Sequence, residues 1–432
     1  LKILLISPVA DIEDKTPKAL RIPQLALHLL KALTPDEHEV KLIEEETVDV
    51  NYDEDCDLVG LSCMTSNAPR AYEIAKEFKI RGKKVVFGGI HPSIFPEEAL
   101  LYGDSVVVGE GEEIWATVVD DFKHNRQQKI YQGGASDFKN FPTVKIESTG
   151  PKSFVNVMPV LTTRGCPYSC EFCCVSSIYG KKVRHIEIDR VVENIVANKT
   201  KVYLFLDDNI IGNKKYAKEL FKALIPLKIN WVGQSSISFA DDIELMKLAR
   251  ESGCYALFVG LESVMPGEIS KLKKAKSEGE SAEAIKKMRG EGIAFHASVI
   301  FGFDSDTEDT FDYTLNFLLK NKVHSVSFNI LTPYPGTPLF DQYKRENRIL
   351  TYNWKDYNHT QLVYEPKNMT AERFTEKYLL TKKEFYSFSS IMKRSVYNLK
   401  HPIVYFGMNM AYRSNSKSDI KAFKLKDSLA TV

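Results

Sequence analysis

The chain opens on a short, unbroken apolar run, "LKILLIS", and returns to runs of the same kind at "EVKLIE", "DLVGLSC", "KVVFGGI" and "SVVVGEGEE". Each is rich in β-branched residues and bounded by turn formers, the pattern of strands buried on both faces. Between them apolar residues recur at helical spacing, around 23–33, in "APRAYEIAKEFKIRG", in "PEEALLYG" and in "EIWATVVDDF". Strand and helix in alternation predict a parallel sheet covered on both sides. Residues 1–125 therefore read as a doubly wound, Rossmann-like α/β domain.

Residues 126–158 lack long periodicity and read as a linker with a hairpin. The alternation then resumes over 159–345, with strand-like "VMPVLTT", "KVYLFLDD", "NWVGQSSI", "YALFVGLES", "AFHASVIFGF" and "SVSFNILTPYPG" separated by helical stretches. Such a series predicts a parallel sheet curled into a partial or full barrel, with its site at the carboxyl ends of the strands. The remainder, 346–432, is helix-prone and rich in Lys, Tyr and Phe, with "PIVYFGMNMAY" at 402–412 its most apolar part. It reads as a lid over the barrel mouth, with a membrane-surface contact as the other reading.

Composition narrows the function classes. With 58 Lys+Arg against 57 Asp+Glu, there is no chain-wide electrostatic case for nucleic acid or an anionic membrane. No stretch reaches the roughly 18 continuous apolar residues of a membrane span. A cytoplasmic location is expected, where disulfides are rare, so seven cysteines point to metal ligation rather than to bridges.

Candidate chemistry gathers at strand ends. In the first domain the turns Ser62–Asn67, Gly88–His91 and Gly109–Gly111 occupy the crevice where open parallel sheets bind ligands. A Gly-x-Gly-x-x-Gly fingerprint after the first strand is absent, which disfavours dinucleotide binding. In the second, "RGCPYSCEFCC" places Cys166, Cys170 and Cys173 at C-x3-C-x2-C spacing with Cys174 adjacent. Structural zinc takes four ligands in separated pairs, and the bacterial ferredoxin spacing differs. Three cysteines holding a cubane with one iron left open fit best. Cys56, Cys63 and Cys254 read as small core residues, with Cys63 of interest beside the first domain's turns.

The motif Cys166–Cys170–Phe172–Cys173, at the end of the first strand of six βα units, resembles the radical S-adenosylmethionine (SAM) superfamily, which implies a (β/α)6 partial barrel. It also implies a [4Fe–4S] cluster on the three cysteines and SAM on the open iron. The SAM contacts would be Phe172, Asp207 and Asp208, Gln234 and Ser236, Glu262 and Ser263, Ile300 and Gly302, and Tyr334. The first domain resembles the cobalamin-binding domain of the class that contains hopanoid methylases and the anaerobic magnesium-protoporphyrin cyclase. That likeness would assign Ser62, Thr65, Ser66, Asn67, Gly88, Gly89, His91, Gly109, Glu110 and Gly111 to cobalamin. The Asp-x-His-x-x-Gly signature of a lower axial histidine is missing from "SPVADIEDKTPKAL", as in many members of the class.

What the resemblance implies is cleavage of SAM to a 5′-deoxyadenosyl radical and functionalisation of an unactivated C–H bond, most simply by cobalamin-dependent methyl transfer. Oxidative cyclisation or carbon–carbon bond formation without methyl transfer, with the first domain a vestigial cobalamin scaffold, is the alternative. An external electron donor of flavodoxin or ferredoxin type is implied. The aromatic residues Tyr378, Phe385, Tyr386, Phe388, Tyr397, Tyr405 and Phe406 of the C-terminal region favour an apolar organic substrate.

Overall fold

The structure, a computed structural model, describes residues 1–10, 20–147, 155–269 and 274–430. The stretch from 11 to 19, part of the segment that lacks the axial-histidine signature, lies outside them. The chain divides into two compact units: Leu1–Asp208 with Pro333–Asn347 and Thr351–Asn358, and Asn209–Thr332 with Arg348–Leu350 and His359–Val432. Each is described by itself.

The first unit holds strands β1 (Lys2–Ser7), β2 (Leu20–Arg21), β3 (Glu39–Glu44), β4 (Leu58–Ser62), β5 (Lys84–Gly88), β6 (Ser105–Val108) and β7 (Ile130–Gln132). Six form one all-parallel sheet in the order β3-β1-β4-β5-β6-β7. Side chains alternate across a strand, and β1 serves two cores. Leu4 and Ile6 pack with Val59, Phe87, Ala71 and Phe78 on the face of helix Ala68–Ile80. Ile3 and Leu5 pack with Val86, Val107, Trp115 and Val119 on the face of helices Leu25–Leu33 and Trp115–Lys123. The strand order reverses beside β1, which sets a crevice at the carboxyl ends of β1 and β4.

The expected linker behaves differently from its reading. Instead of a hairpin, β7 adds a parallel edge strand, Val106 opposite Ile130 and Val108 opposite Gln132. Phe138, Phe141 and Val144 are buried. The backbone beyond is paired by side chains of helix Ile188–Ala197 and its C-cap: Asn194 Oδ1 accepts from Val144 N and Asn198 Oδ1 from Ile146 N, each at 2.8 Å. Residues 148–154 lie outside the described residues. The unit continues with β8 (Val155–Val160), β9 (Thr163–Arg164), β10 (Arg184–His185) and β11 (Val202–Phe205); β8 pairs in parallel with β2 and β11.

The second unit carries β12 (Asn230–Ser236), β13 (Cys254–Glu262), β14 (Ala294–Phe301) and β15 (Ser325–Ile330), parallel and in chain order. Its C-terminal helices begin at Ala371, later than the sequence suggests, and include Ala371–Phe385, Phe388–Ser395 and Pro402–Ala430. They pack against β15. The Tyr386 hydroxyl donates to Val326 O and accepts from Val326 N, and that of Tyr378 donates to Phe328 O at 2.8 Å. These tyrosines thus satisfy an edge strand's open backbone groups. Arg394, wholly buried, donates to Val323 O, His324 O and Phe385 O and to Asn409 Oδ1, at the amino end of β15.

Removing Arg394 strands those acceptors without water, a cost of about 1–3 kcal/mol for each group left unpaired. Arg394→Ala is therefore expected to lower the chemical-denaturation midpoint sharply, with the loss seen first in the second unit by hydrogen exchange along β15. A midpoint unchanged from wild type would show the arginine to be dispensable.

Candidate active site

The sequence-marked turns of the first unit meet in one place. A cavity of about 310 Å³ is lined by Ser62 after β4, Gly88 and Gly89 after β5, and Gly109, Glu110 and Gly111 after β6. Leu25, Leu29, Leu30, Leu161, Thr163, Arg164, Tyr179, Leu206 and Asp208 also line it. The lining is mostly apolar with a few polar groups, in the size range of small-molecule sites. Gly89 must be glycine: its φ is +100°, and a Cβ would lie 2.5 Å from Cys63 O. A Cβ at Gly88 would meet nothing within 4 Å, so the bare backbone there leaves space for a ligand. Ser93, which carries no motif, ties the turns together by donating to Gly89 O and accepting from Gly109 N.

Four residues expected at this site stand elsewhere. Thr65 and Asn67 are buried in the turn after β4, where Asn67 donates to Pro8 O and accepts from Met64 N. Ser66 is half-buried and does not line the cavity. His91 is wholly buried, with Nε2 3.3 Å from Glu98 and its ring packed against Phe95 and Trp354. Small polar residues after a strand look alike whether they cap a turn or face a ligand, so the sequence could not separate them. Cys63 lies in the core, where burial pushes its thiol well up.

The cysteine loop rises between β9 and β10, a two-residue antiparallel ribbon in which Arg164 stands directly opposite Arg184. Like charges in register repel. Glu110 resolves the conflict: its carboxylate receives Arg164 Nη1 at 2.7 Å, both terminal nitrogens of Arg184, and Ser136 N. Arg164 also reaches Glu112 at 2.6 Å and stacks over Phe138 and Tyr179. Burial works to raise the Glu110 carboxyl, but the hydrogen bond from Arg184 and the two guanidinium charges hold it below the usual range. The residue expected to face cobalamin thus has its carboxylate committed to the root of the cysteine loop. Nothing in the sequence reading singled out Arg164, Arg184 or Glu112.

From that root Gly165, at φ +94°, turns the chain where a Cβ would strike Lys182 O, and its N–H donates to Asp208 at 3.1 Å. Asp208 lines the cavity. Asp207 does not: wholly buried, it accepts from Thr162 and Thr163 with one oxygen and leaves the other without a partner. Burial pushes its carboxyl up to about 6. Cys166, Cys170 and Cys173 follow, all half-buried and free of disulfides, with Cys173 N closing a turn on Cys170 O. Phe172 is also half-buried in this loop. Among the described residues no three ligating side chains share one ion's coordination sphere. Thiolates on a cubane each bind a different iron, so such convergence is not what a cluster needs. Cys174 opens the helix Cys174–Ile178, and burial pushes its thiol up to about 11. Tyr334 lies near Cys174, its hydroxyl donating to Tyr357 O.

The remaining strand-end residues belong to the second unit. Gln234 is exposed, and Ser236 N donates to Asn209. Glu262 has φ +58°, uncommon outside glycine, and its buried carboxylate pairs with Lys274 at 2.6 Å over Gly260. Ser263 accepts from Met265 N. Gly302 donates to Asp306, and its carbonyl accepts from Tyr364, while Ile300 lies opposite Asn329 on β15.

Comparison with known proteins bears on this arrangement. The family model for the B12 binding domain matches residues 19–119, and that for the Radical SAM superfamily matches 160–318. The chain is 31% identical over 409 residues to bacteriochlorophyllide d C-12(1)-methyltransferase of Chlorobaculum tepidum, covering 91% of this chain and 89% of that protein. The chain belongs to the cobalamin-dependent radical SAM methyltransferases. Bacteriochlorophyllide d C-8(2)-methyltransferase of the same organism is 30% identical, covering 93% of each. The cobalamin-dependent radical enzyme OxsB, solved with aqua-cobalamin and SAM, shares the fold at a TM-score of 0.70 and 14% identity, covering 100% of this chain and 80% of its own.

This radical SAM methyltransferase accordingly uses a [4Fe–4S] cluster, SAM and cobalamin, and requires a reductant. The cavity fits a corrin in kind, being lined by glycine backbone and apolar side chains. Among the described residues no histidine, cysteine or methionine lines it to offer an axial ligand. The candidate ligand set makes a sharp contrast between neighbours. Cys173→Ala is expected to lose the cluster on anaerobic reconstitution, and Cys174→Ala to keep it, measured as iron per chain. Four irons retained in the Cys173 variant would remove it from the set.

Proposed function

We propose that Cys166, Cys170 and Cys173 hold the cluster, that Phe172, Asp208 and Tyr334 of the first unit contact SAM, and that Ser62, Gly88, Gly89, Gly109 and Gly111 cradle cobalamin. The cofactors supply the radical and the methyl group. The chain positions: Arg164, Gly165 and Asp208 fix the cysteine loop beside the cavity, and the apolar wall of Leu25, Leu29 and Leu30 keeps water from it.

The substrate proposed is a wide, apolar ring system, a tetrapyrrole of the bacteriochlorophyllide type, methylated at an unactivated carbon. The observation that carries this is the likeness to the two bacteriochlorophyllide d methyltransferases over nearly the whole chain, to which β12 to β15 add small side chains on one face. Ser236, Gly260, Ser298 and Ser327 form one register row of small residues, above a row of Gln234, Phe258, His296 and Ser325. The opposite face, with Ser235, Val259, Ala297 and Val326, is buried. Gly260, Ser298 and Ser327 are only partly buried, while Ser236, His296 and Ser325 are buried and the Tyr412 ring stacks on His296; the two relatives named above act on such a ring system. The C-terminal aromatics do not support an apolar substrate, since Tyr378, Phe385, Tyr386 and Tyr405 are core residues. A flavodoxin or ferredoxin in the cytoplasm is the proposed electron donor.

With methyl-labelled SAM, reductant and bacteriochlorophyllide d, label is expected in the product, with deoxyadenosine and S-adenosylhomocysteine formed together. Deoxyadenosine with unlabelled, cyclised or coupled product would replace methyl transfer by the alternative chemistry. No turnover on the tetrapyrrole, with transfer to another acceptor, would overturn only the substrate.

A further inference from the structure

Chain-wide charge balance conceals a local asymmetry. Residues 385–418 contain Lys393, Arg394, Lys400, Arg413 and Lys417 and not one Asp or Glu. Arg394 is buried; the other four are not. Among the described residues, the same segment carries the densest exposure of large apolar side chains. Phe388 is 55% exposed, Met392 43%, Val396 70%, Leu399 53% and Ile403 88%.

The exposure follows from how the two helices pack. Helix Phe388–Ser395 buries Ile391, Arg394 and Ser395, and the start of the last helix buries Tyr405 and Asn409 against it, with Tyr405 donating to Ile391 O and Arg394 to Asn409. The opposite faces, at the i, i+4, i+8 positions Phe388, Met392 and Val396 and through the turn to Ile403, are left outward. Packing of the pair is complete without them. Tyr397, half exposed at the same turn, has the Arg289 and Lys322 side chains over its ring at 5.7 and 5.8 Å, which adds two cations to the face. Aromatic and aliphatic side chains flanked by Lys393, Lys400, Arg289 and Lys322, with Glu291 beside Lys400 paired to Arg250, match the interfacial region of an anionic bilayer: apolar groups enter the acyl boundary while cations meet the headgroups. Among the described residues no helix is long and apolar enough to cross a membrane, so the contact is with the surface.

We propose that the turn between these helices, from Phe388 to Ile403, docks the enzyme on an anionic lipid surface. This rests on the face alone and stands whether or not the substrate is a tetrapyrrole. A protein-only or self-association face would not require an acid-free segment of this length.

The test is sedimentation of the intact, cofactor-loaded protein with sucrose-filled vesicles of phosphatidylcholine, with and without about 30% phosphatidylglycerol. Pelleting is expected with the anionic vesicles and is expected to fall as salt rises from about 0.1 M to about 0.5 M. Lys393→Gln and Lys400→Gln should each weaken it about fivefold on anionic vesicles only. The pair Leu399→Ser and Ile403→Ser should weaken it roughly tenfold or more. Ile80→Ser, an exposed site on another face, serves as the control and should change nothing, and the unfolding midpoint and cluster absorbance of each variant should match wild type. No pelleting with either vesicle, or pelleting untouched by the Leu399 and Ile403 changes, would overturn the proposal. So would a dimer in velocity sedimentation that those changes dissolve.

Discussion

Everything at the candidate site hangs on one electrostatic conflict and its resolution. Two arginines face each other on a ribbon of two residues a side, at the root of the loop that carries the cysteines. Alone, that pairing would push the ribbon apart. Glu110, from the turn after β6, enters between them and is held there by Ser136 N as well. Breaking a buried pair of this kind costs about 3–5 kcal/mol because the remaining charges stay buried without a partner. The ribbon therefore closes only when the turn that lines the cobalamin-side cavity is in place.

That dependence gives the site its geometry. The radical chemistry belongs to the cofactors, and the protein's task is to keep a cluster, a corrin and a substrate at fixed separations. Loops alone do this poorly. Here the cysteine loop is tied at Arg164 and at Gly165, whose N–H meets Asp208, while Leu339 N donates to Glu171 O further along it. The cavity wall and the cluster loop share residues, since Arg164 and Asp208 line the one and anchor the other.

Much of this was legible beforehand for definite reasons. β-branched runs such as "KILLIS" have few alternatives to a buried strand, and glycines at strand ends mark places where backbone must come close to something. C-x3-C-x2-C stands out because so few structures need it. What escaped the sequence depends on pairs far apart in the chain. Arg164 and Arg184 are ordinary cations until the ribbon sets them opposite one another. The stretch at 142–146 looks like coil because its hydrogen bonds come from Asn194 and Asn198 rather than from a strand. Tyr378 and Tyr386, read as favouring an apolar substrate, prove to be partners for the edge of β15. His91 is assigned to cobalamin by its place in the turn after β5, yet its ring packs on Phe95 and Trp354.

The claim that Glu110 sets the cluster loop against the cobalamin turns is tested most directly by electron paramagnetic resonance of the anaerobically reduced protein holding both cofactors. The readout is the magnetic coupling between cob(II)alamin and the reduced cluster. Wild type should give a single well-defined coupling. Glu110→Gln should give a weaker, distributed one while its iron and cobalt contents stay the same. An identical coupling in the two proteins would contradict the account.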